Sequence, residues 1–246
     1  MRGRMNCAAS NRAVLCEALE GRRLLSASSG GVAELQAGTL HVEGTRASDL
    51  ILVSVDYSDP AATKVNVNLN GNAIGSFLLS DVARVEVYGG RGDDSIRFDE
   101  STDLVPLPLI AHGEAGNDTL VGGFLNDELY GDAGSDALFG NDGNDQMYGG
   151  VGDDLLAGGF NDDFLDGEGG DDTLYGEAGF DTLRGGAGRG RDMLDGGDDN
   201  DDIDGGAGID QLFGGSGSDT FAGTEKAEEI LDLAPEDVYV PVVTRR

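Results

Sequence analysis

Between residues 113 and 222, apolar and polar positions recur on a nine-residue period. The unit is Gly-Gly-x-Gly-x-Asp-x-apolar-x, and twelve consecutive copies begin at Gly113, Gly122, Gly131, Gly140, Gly149, Gly158, Gly167, Gly176, Gly185, Gly196, Gly205 and Gly214. A thirteenth copy, GGRGDDSIR, stands apart at 89–97, and a faint fourteenth, GTRASDLIL, lies at 44–52. Position eight is apolar in all thirteen clear copies: Ile96, Leu120, Leu129, Leu138, Met147, Leu156, Leu165, Leu174, Leu183, Leu194, Ile203, Leu212 and Phe221. Glycines permit the positive φ of a sharp turn, which a Cβ would resist. The last three residues of each unit then predict a minimal strand, with one side chain inward and its two neighbours outward. So short a strand cannot fold alone; it must stack on copies of itself, which predicts a solenoid.

The flanks carry other patterns. Period-two alternation in Leu50–Val55, Val65–Leu69 and Val82–Val87, with turn signals at Asp59-Pro60 and Asn70-Gly71, predicts strands and a hairpin. Residues 29–110 are therefore expected to form a β-rich N-terminal cap with degenerate repeats, a separate small sandwich being the alternative. A cap is a structural need, because an open sheet edge invites aggregation. Residues 111–222 form the repeat array, and 223–246 a C-terminal cap or tail, with an export signal as the other reading of the tail. Within it, Glu225–Leu233 suits a short helix and Val238–Val243 an edge strand, since Pro241 forbids a central one. Residues 1–28 form a basic leader or sorting segment, with Arg2, Arg4, Arg12, Arg22 and Arg23. They have no apolar run of the length a membrane span needs.

Position six adds chemistry to the pattern. It is aspartate in every clear copy: Asp94, Asp118, Asp127, Asp136, Asp145, Asp154, Asp163, Asp172, Asp181, Asp192, Asp201, Asp210 and Asp219. The nonapeptide closely resembles the RTX, or hemolysin-type, calcium-binding repeat, and the resemblance spans about 45% of the chain. It implies an all-β fold, a parallel β-roll (a β-helix solenoid) in which two units make one turn. Alternate repeats would then stack 18 residues apart. One column would carry Asp118, Asp136, Asp154, Asp172, Asp192 and Asp210, and the other Asp127, Asp145, Asp163, Asp181, Asp201 and Asp219. Loops roughly 4.8 Å apart would set like charges repelling by roughly 0.9 kcal/mol per pair even in bulk water. A divalent cation between them reverses the sign, and Ca2+ suits because it takes six to eight hard oxygens in flexible geometry. Five gaps in each column would allow up to about ten ions.

Two departures mark weak points. Position four is not glycine at Leu125, Asn161 and Asp199, all in the second column. Asn and Asp tolerate a left-handed backbone, whereas Leu does so poorly, so ions beside Leu125 are expected to be weak or missing. GGAGRGRDMLD (185–195) is two residues longer than the other units and sets Arg189 and Arg191 beside Asp192, which should cost a site or make a bulge.

A net charge of −31 argues against nucleic acid and anionic membranes as partners and for cations. One buried apolar side chain per unit, about 1.5–3 kcal/mol, is small beside the ordering cost of nine residues at about 1–2 kcal/mol each. Metal binding would then be folding free energy. Extracellular calcium modules bind at about 10⁻⁴–10⁻³ M, so the expectation is an extracellular or cell-surface protein that folds on meeting calcium. The leader resembles the LEPR-XLL motif of exported bacterial surface proteins through Leu19, Glu20, Arg22, Leu24, Leu25, Ser26 and Ala27, with Gly21 where that family prefers Pro. Cys7 and Cys16 both lie in this leader and give no disulfide framework.

No enzyme is expected. The two histidines, His41 and His112, are not arranged as HExxH, and no GxSxG occurs. Three outward tyrosines, Tyr130, Tyr148 and Tyr175, leave a second reading open, an adhesion or matrix protein that binds polysaccharide. A cryptic polysaccharide-acting enzyme is the third. Plain Gly/Asp-rich disorder is the bland alternative, and the fixed apolar period through twelve copies stands against it.

Overall fold

A computed structural model describes residues 30–98, 105–187, 190–223, 229–230 and 237–241. The leader, with its LEPR-XLL-like residues, lies outside them. Apart from one 3-10 turn at Leu79–Asp81, all regular structure among the described residues is β-strand.

The N-terminal part contains β1 (Val32–Gln36), β2 (Thr39–Glu43), β3 (Leu50–Asp56), β4 (Lys64–Leu69), β5 (Asn72–Leu78), β6 (Arg84–Arg91), β7 (Ser95–Phe98) and β8 (Leu109–Ala115). β1 pairs antiparallel with β2, and β3, β4 and β5 form an antiparallel meander. The β4–β5 hairpin turns on Asn70 and Gly71, with φ of 52° and 77°, the left-handed pair that Asn-Gly supplies at least cost. From β6 onward pairing is parallel.

The chain then winds between two eleven-stranded sheets. The first continues from β8 through strands starting at Glu128, Gln146, Phe164, Thr182, Asp202, Thr220 and Val238; the second continues from β7 through strands starting at Thr119, Ala137, Leu155, Thr173, Met193, Gln211 and Glu229. Partners lie one turn, or two units, apart, as in Leu129↔Met147↔Leu165 and Leu138↔Leu156↔Leu174. The fold is the parallel β-roll, in about six turns.

Most of the strands are longer than the minimal ones expected. Gln146–Val151, for instance, runs through positions seven to nine and on into the first three of the next unit. Position two is left-handed even without glycine: Glu114, Asp132, Asn141, Glu168 and Glu177 have φ of 70°, 68°, 75°, 65° and 75°. This kink lets the strand bend at the corner while its hydrogen bonds continue. Position-eight residues from Leu120 to Phe221 are wholly buried between the sheets, one per unit. The cap is richer, with Leu40, Val42, Ile51, Val53, Val55, Val65, Val67, Val85 and Val87 packed together.

At the C-terminal end the structure corrects one expectation. Glu229–Ile230, inside the expected helix, is a short strand paired with Gln211–Leu212. An open edge of the second sheet offers backbone partners there, and tertiary pairing overrides helix propensity. The rest of that segment lies outside the described residues. Val238–Pro241 forms the last strand of the first sheet.

Candidate metal centre

The loops between sheets form two columns, one on each edge of the roll. In each, the aspartate at position six turns inward and is at most 4% exposed. The cause is a hydrogen-bond ladder. The backbone N–H of each aspartate donates to Oδ1 of the aspartate one turn later, as in Asp118 to Asp136 (2.6 Å), Asp136 to Asp154 (2.8 Å) and Asp154 to Asp172 (2.9 Å). The first column runs on from Asp172 to Asp192 and Asp210. The second runs from Asp127 through Asp145, Asp163, Asp181 and Asp201 to Asp219. Asp94 joins the head of the first column, donating to Asp118.

Two rungs escaped the sequence reading. Asp49, from the faint unit at 44–52, donates its N–H to Asp94 Oδ1 (2.7 Å). Asp237 accepts from the Asp219 N–H (3.1 Å) at the other end. The signal for Asp49 was its spacing from Gly44; Asp237 follows no recognisable unit. In the long unit, Gly190 fills the position-four slot, where a Cβ would overlap the Gly170 carbonyl oxygen. Asp192 keeps its rung, and Arg191 swings out to pair with Asp171 at 3.2 Å.

The second carboxylate oxygen decides the chemistry. In Asp94, Asp118, Asp136, Asp145, Asp154, Asp163, Asp172, Asp181, Asp201, Asp210 and Asp219, Oδ2 is buried and accepts no hydrogen bond. It lies over the position-one glycine of its own loop, and in most turns beside the position-one carbonyl of the next. A Cβ on Gly149 would sit 2.5 Å from Asp154 Oδ2 and 2.9 Å from the Gly167 oxygen. The glycine is therefore needed to leave room between hard oxygens. Burying a charged oxygen without a partner is costly. Desolvation first, and then neighbouring carboxylates, push Asp163 up to about 8 and Asp94, Asp136, Asp145, Asp172 and Asp201 to about 7. The ion pairs His41–Glu86, Arg84–Glu86, His112–Asp132 and Arg191–Asp171 all lie off the ladder.

The residues fit calcium. Each gap offers carboxylate and carbonyl oxygens, the hard donors Ca2+ takes in flexible number. No His or Cys enters the ladder, so the nitrogen and sulfur set of a zinc site is missing from it. Among the described residues no three His, Cys, Asp or Glu side chains converge on one point. Backbone carbonyls would therefore have to complete any shell.

A parallel solenoid with carboxylates stacked along both edges defines a metal-binding β-roll. Residues 86–105, 112–147, 148–183, 181–212 and 195–225, just over half of the chain, match the RTX calcium-binding nonapeptide repeat. The chain belongs to that family. No curated protein and no solved structure gives a match. Among the described residues no helix is long and apolar enough to cross a membrane.

The three tyrosines do not form one set. Tyr130 and Tyr148 stack in the first sheet with His112 and Tyr88, centroids 4.5–5.0 Å apart and planes within 5°. Tyr175 lies in the other sheet, in register with Ala157 and Asp195.

Proposed function

We propose that the chain is an extracellular or cell-surface calcium module whose roll folds when Ca2+ enters the gaps between loops. Binding, not catalysis, is its work. The observation that carries this reading is the row of eleven buried carboxylate oxygens without donors. Asp94, Asp118, Asp136, Asp145, Asp154, Asp163, Asp172, Asp181, Asp201, Asp210 and Asp219 would hold the ions. Asp192 stands in the same hydrogen-bond ladder and would serve with them. Asp127 differs, because its Oδ2 accepts the Gly123 N–H at 2.6 Å, which supports a missing ion beside Leu125. A calcium titration of the full chain, with magnesium as control, tests the reading by far-UV circular dichroism and hydrodynamic radius. A cooperative gain of β signal and compaction with calcium alone is expected. A compact β protein indifferent to calcium and chelator would overturn it.

The aromatic stripe supports a second reading, in which the calcium-stiffened roll adheres to polysaccharide. Stacking covers the ring faces of His112 and Tyr130, so this stripe offers edges and hydroxyls more than platforms. Reversible glycan binding without turnover would favour it, whereas release of unsaturated sugars would reveal an enzyme.

A further inference from the structure

We infer that the N-terminal cap is a calcium-independent seed for the roll, and that Asp49 and Asp127 join the two as struts, not as ion ligands. The inference rests on the calcium-driven folding proposed above. Two independent observations carry it.

The first is the distribution of apolar burial. Between residues 32 and 111, seventeen buried apolar residues are described, about one in five; between 113 and 222 there are twelve, about one in nine. Among the described residues the antiparallel pairs, β1–β2, β3–β4 and β4–β5, all lie in the cap. Its hairpin contacts are local, close early and need no ion. The roll has only long-range parallel pairs and a single file of core residues, so its ordering entropy is poorly offset without metal.

The second is the state of the first aspartate in each column. Asp49 Oδ2 accepts the N–H of Thr45, and its Oδ1 accepts Asn70 Nδ2 at 2.7 Å. Asn70 in turn accepts the Leu50 N–H at 2.8 Å, tying the strut to the β4–β5 turn. Asp127, first in the other column, takes the Leu109 N–H on Oδ1 (2.7 Å) and the Gly123 N–H on Oδ2 (2.6 Å). In both, the position-two N–H of the aspartate's own loop lies where later turns leave Oδ2 bare. A backbone dipole does for the starting rung what a cation must do for the others. The seed thus ends in two satisfied rungs and two parallel strand edges, ready to accept the next turn.

Hydrogen exchange of the full chain, with calcium and with chelator, tests this. In chelator the cap strands β2–β6 should stay protected about a hundredfold over the roll, as separate cooperative units would be, and calcium should then protect the roll. Loss of both regions together in chelator, with joint recovery in calcium, would overturn the seed alone. A roll protected regardless of metal would overturn the seed and the calcium reading together. In Asp49→Ala the calcium midpoint should rise several-fold with the bound-ion count unchanged; a count lower by one would make Asp49 a ligand and overturn its role as a strut.

Discussion

The two loop columns are written in the same nonapeptide, yet they differ at position four. In the first column Gly116, Gly134, Gly152, Gly170, Gly190 and Gly208 follow without a break, and a Cβ on any of them would overlap the position-four carbonyl of the turn before. In the second, every other turn carries a side chain: Leu125, Gly143, Asn161, Gly179, Asp199, Gly217. Asn161 and Asp199 fit because their φ is 78°, tighter than the 125° to 154° of Gly143, Gly179 and Gly217 in the same column. Asn161 also accepts the Gly143 N–H through its side chain (3.3 Å). Leu125 does not take the left-handed backbone at all and remains 40% exposed. Glycine at position four is thus a demand of stacking geometry. It is absolute where every turn sits against the carbonyl of the turn before and negotiable where side-chain-bearing and glycine turns alternate.

That contrast breaks most readily at Gly152. Gly152→Val places branched bulk against the Gly134 carbonyl in a backbone of φ 135°, and calcium should no longer restore full β signal in circular dichroism. Asn161→Gly in the other column should change stability by less than about 1 kcal/mol. Equal effects on thermal unfolding would erase the difference between the columns.

Acidity should have the next largest effect, on both columns together. Burial raises these carboxyls in the folded, metal-free roll, to about 8 at Asp163, about 7 at Asp145 and about 6 at Asp154 and Asp181. The folded form therefore binds protons more tightly than the unfolded chain. Its stability should be greatest below the unfolded carboxyl value near 4 and fall as pH rises through 6 to 8. Metal-stripped protein should compact on going from pH 8 to pH 5, measured as hydrodynamic radius. With calcium the trend should reverse, because protons compete with the ion.

A smaller effect is expected from Leu125→Gly. It would restore glycine to the turn beside Asp127, and because Asp127 Oδ2 is already taken by the Gly123 N–H, calorimetry should give an unchanged ion count and a calcium midpoint shifted by less than about two-fold. The smallest is Arg191→Ala. Its pair with Asp171 is largely exposed, so melting should shift by the equivalent of less than about 1 kcal/mol.

Much of this architecture was legible in the sequence because one nine-residue period fixes core, turn and carboxylate together. The 18-residue register and the two aspartate columns follow from that period once the family resemblance supplies two units per turn. Where the chain leaves it, legibility fails for physical reasons. Left-handed Glu168 and Glu177 were hidden because glutamate, unlike Asp or Asn, seldom marks such a backbone. Asp49 was obscured because Thr45 and Ala47 stand where the unit has its second and third glycines. The strand at Glu229–Ile230 is dictated by the sheet edge it meets, which local propensity does not encode. Tyr175 parts from Tyr130 and Tyr148 only once odd and even units are known to face opposite ways.

The ladder bonds all point one way, from an amide to a carboxylate met later in the chain. Asp201 is completed by Asp219, and Asp219 by Asp237. A growing or emerging roll therefore always carries an unfinished rim, with buried amides waiting for oxygens that have not yet arrived. The molecule is polar in the sense that a filament is polar, with one face closed by design and the other open until its last acceptor docks. A cut just before Asp237 would remove little mass but would leave that rim permanently open to whatever carboxylate came next.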